Sequence, residues 1–186
     1  MGIKKEEVWG KINMKYFLFM SQEGNKIPQK INCNRGIDIR YIHEDKASKL
    51  PLWNLVEMES QAEMIFPDIL DSPFFVVSRK FFGVVQLYVP NIKYKCINLF
   101  CKKDGKNELY FLPIFKEIEC LSEKSEFNLN KSIIKKIILD EAIIKDEAIF
   151  RIAGFDKSYV IGRLDFVESV LRRGLYGIKL CELEVR

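Results

Sequence analysis

The hydrophobic pattern is clearest in two stretches, residues 74–97 and 158–183. In the first, Phe74-Phe75-Val76-Val77 is an apolar run of buried-strand length. Ser78 follows as a candidate helix N-cap, because its hydroxyl can accept a hydrogen bond from a first-turn amide. Phe81, Val84, Val85 and Tyr88 then fall at i, i+3, i+4 and i+7, one helical face, until Pro90 stops the helix. The second stretch repeats the order: Tyr159-Val160-Ile161-Gly162 as strand, then Phe166, Val167, Val170 and Leu171 as a buried helical stripe, then a last strand opened by Gly177-Ile178. Asp165 near the start of that helix and Arg172 with Arg173 near its end complement the helix dipole, and Gly174 supplies a left-handed cap. Overlaid, Val76-Val77-Ser78-Arg79 falls on Val160-Ile161-Gly162-Arg163, and Phe82 falls on Phe166. The pattern predicts two short β–helix–β units. Gly83, inside the first helix, costs about 1 kcal/mol against Ala and reads as a point of close packing on the sheet.

The remaining pattern is mostly strand-like. Residues 12–20 are rich in aromatics, and residues 21–30 read as a loop. Residues 37–42 alternate apolar and polar, which predicts a half-buried strand. Residues 50–56 are apolar but broken by Pro51, which predicts an edge or an ordered coil. Residues 94–101 and 108–115 flank Asp104-Gly105, a hairpin signal. Short strands are expected at 117–121, 133–139 and 150–152. The fold class read from this is α+β, a mostly antiparallel sheet with the two β–helix–β units packed on it.

Length changes this picture little: 186 residues make one domain, 1–186. With 48% hydrophobic and 30% charged residues, the chain is neither disordered nor fibrous. The net charge of +4 is spread along it, and the richest basic set (Lys93, Lys95, Lys102, Lys103, Lys106) only flanks the hairpin, so nucleic acid is not the expected partner. Residues 50–78 contain no Lys or Arg but do contain Glu57, Glu59, Glu63, Asp68 and Asp71. The plain reading is a solvated acidic face; the sharper one is a partner-binding surface. The five cysteines, Cys33, Cys96, Cys101, Cys120 and Cys181, form no C-x-x-C pair. Cys96 and Cys181 fall in predicted strands as small buried hydrophobes. No secretory or lipidation signal is read at the start, and the longest uncharged run, 81–92, is far shorter than a membrane span. The expected location is a reducing cytoplasm, without membrane attachment.

Catalytic signatures are missing. His43, the single histidine, has no second His or cysteine cluster with which to build a zinc site, and reads as a solvated turn residue. Ser132-Ile133-Ile134-Lys135 matches S-x-x-K without its companion motifs. The pairs Asp140/Glu141 and Asp146/Glu147 are indistinguishable from surface acids, and no phosphate loop or dinucleotide fingerprint occurs. The expectation is a non-enzyme with no catalytic residue, cofactor, metal or small-molecule ligand, which acts by binding protein.

From Phe66 onward the chain resembles a family of bacterial immunity proteins of polymorphic-toxin systems, immunity family eleven, formerly a domain of unknown function. The residues that carry it are Pro67-Asp68 and Phe75-Val76-Val77-Ser78 opening a helix. They continue with Cys120-Leu121-Ser122-Glu123-Lys124-Ser125-Glu126-Phe127, Ile149-Phe150-Arg151-Ile152, Tyr159-Val160-Ile161-Gly162 and Gly177-Ile178. The departures are Gly162 where the family tends to place a serine and Leu121 where an aspartate is common. Residues 66–186 are the immunity-like region, and 1–65 form an N-terminal subregion without resemblance. The resemblance implies neutralisation of a cognate protein toxin by direct binding, with Glu57, Glu59, Glu63, Asp68 and Asp71 as candidate contacts. Two other readings stand beside it. One is a structural or regulatory module pairing through an apolar patch around Trp53 and Phe66; the other is an enzyme using carboxylates or Cys.

Overall fold

The structure, a computed structural model, describes residues 14–22, 29–32, 37–59 and 64–186. In chain order it runs β1 (Tyr16–Ser21), β2 (Gln29–Asn32), two 3-10 turns (Ile39–Tyr41 and Ala47–Lys49), β3 (Trp53–Glu59), β4 (Ile69–Leu70), β5 (Val76–Val77), α1 (Arg79–Tyr88), β6 (Lys93–Phe100) and β7 (Asn107–Ile114). It continues with β8 (Glu117–Ile118), β9 (Glu126–Phe127), β10 (Ile134–Lys136), β11 (Ile138–Leu139), α2 (Glu141–Ile144), β12 (Ile149–Ile152), β13 (Val160–Arg163), α3 (Leu164–Leu171), β14 (Ile178–Glu182) and β15 (Glu184–Val185). The fold is α+β with mixed, mostly antiparallel sheets. Among the described residues, no helix is long and apolar enough to cross a membrane.

Two sheets carry the molecule. The first has the order β14-β1-β13-β12-β8 and the second β2-β3-β6-β7-β5-β4. In the second, β5 and β6 are each antiparallel to β7, which lies between them, so β5–α1–β6 is a split β–helix–β unit. In the first, β13 and β14 flank β1 in the same way, so β13–α3–β14 is a second such unit. The registers coincide: Ile69↔Val77↔Phe111↔Cys96 in one corresponds to Ile149↔Gly162↔Phe17↔Glu182 in the other. The two helix caps, Ser78 and Arg163, each follow one residue later. The equivalent of Phe166 is therefore Phe81, one residue earlier than the sequence overlay places it. These two rings meet edge to face, with centroids 5.9 Å apart. The halves differ in connectivity. The middle strand of the second sheet, β7, returns by a hairpin from β6, whereas the middle strand of the first is β1, from the chain's N-terminal third.

The helices lie between the sheets. Phe19, Phe81, Phe166 and Phe75 form a run of edge-to-face contacts through this central core. The Tyr88 hydroxyl ties the helices together by donating to the Asp165 carbonyl at 2.8 Å. Gly162 is required here, since a Cβ would come within 2.5 Å of the Phe19 ring. The outer face of the second sheet is covered by residues 37–50, with Ile37, Ile42, Ala47 and Leu50 packed on Val56, Met58, Ile97 and Leu99. That of the first is covered by the segments around β10, β11 and α2, over Tyr16, Phe150 and Ile152.

Several expectations change. Residues 37–42 form a 3-10 turn rather than a strand, because the Asp38 carboxylate accepts from the Arg40 amide at 3.0 Å and caps it. Beyond Pro51 the chain is a full seven-residue strand, β3, paired on both sides, rather than an edge or coil. Gly83 is exposed with no atom within 4 Å of its would-be Cβ, so it is not a close-packing point. Cys181 lies in a strand but is exposed. Ser78 does cap α1, accepting from the Phe81 amide at 3.2 Å.

Candidate protein-docking face

Strand period places Asn54, Val56 and Met58 of β3 in the core, and Trp53, Leu55, Glu57 and Glu59 on the opposite, helix-side face. Across the parallel register, Trp53 stands beside Cys96, Leu55 beside Asn98 and Glu57 beside Phe100. Helix α1 reaches only the nearer strands: Phe82 stacks on Phe111 with centroids 4.8 Å apart and meets Tyr94 at 4.9 Å. The second sheet has two strands, β3 and β2, beyond this helix, and among the described residues the first sheet has no counterpart to them. The result, among the described residues, is an open floor on which Trp53 is 63% and Leu55 55% exposed. Leu52 adjoins it, also exposed. At its acidic end Glu57 pairs with Lys102 at 3.2 Å; at the other, the Arg79 guanidinium lies 6.0 Å over the Phe111 ring.

The predicted acidic residues do not form one patch. Glu57 and Glu59 share this face. Glu63 lies outside the described residues. Asp68 is 8% exposed and is built into the fold. One of its carboxylate oxygens accepts from the Ser78 hydroxyl, and the other accepts from the Tyr176 amide at 2.8 Å. Its backbone amide donates to the Tyr176 carbonyl and its carbonyl accepts from the Ser78 amide. Asp68 thus fastens the start of α1 to the loop before β14. Asp71 accepts from the Ser21 hydroxyl, pinning the end of β1 to the β4–β5 turn. Of the two residues expected to share an apolar patch, Trp53 lies on the open face, whereas Phe66 packs against the core on the other side of the sheet.

Other chemistry-bearing groups lie apart. A cleft of about 600 Å³ between the sheets is lined by Ser21, Asp71, Asp156, Lys157 and Lys179, and the single histidine does not line it. His43 is not a solvated turn residue: its Nδ1 lies 2.9 Å from the Glu117 carboxylate, and its side chain is only 18% exposed. The same carboxylate oxygen takes Arg151 at 3.0 Å. Arg151 is buried and donates to the carbonyls of Ile42, Phe155 and Asp156. Burial pushes its guanidinium pKa down, and Glu117 opposes that. This network, invisible in the sequence, joins the 37–50 covering segment to β8 and β12. Burial pushes the Cys120 thiol up to about 12, which keeps it protonated and a poor nucleophile. Among the described residues, no group of three or more His, Cys, Asp and Glu is arranged to hold a metal.

No family profile matches the chain. Comparison with curated proteins finds no match either. The likeness to immunity family eleven rests on the motif residues quoted above.

Proposed function

We propose that this protein acts by binding another protein through the open face of β3, as an immunity-type protein that neutralises a cognate toxin. The observation that carries the binding part is the presence of Trp53 and Leu55, more than half exposed, on the same strand face as Glu57 and Glu59. Exposed aromatic and aliphatic side chains ringed by charge are the composition of an interface core, and Trp is the residue type in which binding energy most often concentrates. The toxin as partner comes from the family resemblance. A scaffold that engages a buried carboxylate internally, as at Asp68, suits a protein that blocks rather than catalyses. Net charge of +4 does not by itself steer it to a basic toxin; Glu57 and Glu59 supply a local acidic end instead.

The apolar centre of this face also favours a second reading, a structural or regulatory interaction module with a different partner. Co-expression separates the two. A candidate toxin domain, sought in the neighbouring gene and expressed with this protein, should allow growth and co-purify as a stable complex. An active toxin that neither co-purifies nor is relieved would overturn the immunity reading and leave the module.

A further inference from the structure

We infer that the occupant of the open face is an amphipathic α-helix of the partner protein, lying alongside α1 over β3. The inference rests on the docking-face reading above and adds the partner's shape and chemistry. Three observations lead to it. The first is width. Strands lie about 4.8 Å apart, so the backbones from β6 across β3 to β2 span about 10 Å, the diameter of one helix. The second is the wall beside that floor. Phe82 faces the sheet and Phe81 faces α3, so at 100° per residue Arg79, Gly83 and Gln86 form the flank of α1 beside β3.

The third observation is Gly83 itself. A glycine at an exposed position inside a helix is destabilising, and here nothing within 4 Å of its would-be Cβ requires it. What it does provide is a recess on the flank, where a second helix can approach at the short end of the usual 8–10 Å spacing. Leu87, one turn further on, is 63% exposed and would be covered by such a helix.

Spacing then sets the partner's pattern. Trp53 and Glu57 are about 13 Å apart along β3, close to nine residues of helix. The matching helix carries an apolar stripe for Trp53, Leu55 and Leu87, with Lys or Arg about two turns on, to share the Glu57 carboxylate with Lys102.

Gly83→Gln is the test, because it fills the recess without charge and raises helix propensity. With the toxin domain of the co-expression test as probe, Gly83→Gln should keep or raise the melting temperature while weakening binding at least tenfold. Hydrogen exchange on the complex should protect a run of about ten or more toxin amides in a helix, together with α1 and β3 of this chain. Wild-type affinity in Gly83→Gln, with binding lost in Trp53→Ala, would overturn the helix while sparing the docking face. Unchanged affinity in both variants would overturn the face as well, and no complex with wild type would overturn the function. Concentration-dependent dimerisation abolished by Trp53→Ala would make the occupant a second copy and overturn the partner helix.

Discussion

Asp68 and Glu57 belong to the same basic-free segment, yet one is enclosed and the other lies on the open face. Side-chain type cannot separate them; the partners supplied by Ser78 and by the distant Tyr176 do. Asp68→Ala leaves that hydroxyl and that amide without an acceptor, at roughly 1–3 kcal/mol for each orphaned group. Urea denaturation should show a loss of roughly 2–6 kcal/mol, with Glu57→Gln within about 0.5 kcal/mol of wild type. Cys120 gives a pH-dependent counterpart. Its thiol titrates near 8.5 when unfolded and is raised to about 12 in the fold. A group raised on folding contributes stability that is fully present below its unfolded pKa and is lost as pH rises towards the folded one. Replacing Cys120 by Ala should therefore be most costly at pH 7–8, and the gap to wild type should narrow between pH 9 and 11 in denaturation measured across that range. The His43–Glu117–Arg151 network was illegible for the reason Asp68 was: its members come from three separate segments, and only tertiary contact joins them.

At the scale of elements, what was legible had strong local signals. Helix α1 has a serine cap, a clean apolar spacing and a proline after it, and it forms where those signals place it. The hairpin of β6 and β7 forms around Asp104-Gly105, with Gly105 in the left-handed region. Residues 37–42 failed because alternation alone does not distinguish a strand from a turn that buries only its two ends, Ile37 and Ile42. Strand β3 was hidden because its two faces are both partly apolar, one against the core and one open, so no alternation marked it. Gly83 misled for a different reason, since the sequence gives a glycine's conformational cost without saying what stands beside it. Gly83→Ala should raise stability by about 0.5–1 kcal/mol, as measured by thermal or denaturant unfolding. A loss of stability would mean that the flank of α1 is already covered.

The whole molecule is two split β–helix–β halves facing each other through their helices, and the second half borrows its middle strand from the N-terminal third. Repetition of the helical units was visible in the sequence. The borrowed strand was not, because nothing local in residues 16–21 names its neighbours in a sheet with β13 and β14. Tyr16 accepts from the Leu183 amide at 2.9 Å, and Lys15 pairs with Glu182 at 3.0 Å, so β14 runs beside β1 as β6 runs beside β7. A circular permutant joining Arg186 to Met1 and opened between Leu129 and Asn130, in an exposed turn, should keep the circular dichroism spectrum and melt within a few degrees of wild type. The pairing of the halves also explains why one face stays open, since among the described residues only the second sheet extends two strands past the helix layer. That open face carries the functional account, and the direct measurement is calorimetric titration of the proposed toxin partner with wild type and with Trp53→Ala. The account predicts a tight complex for wild type and at least a thirtyfold weaker one for the variant, the loss of about 2 kcal/mol expected of a buried Trp anchor, at an unchanged melting temperature. Equal affinity in the two proteins would contradict it.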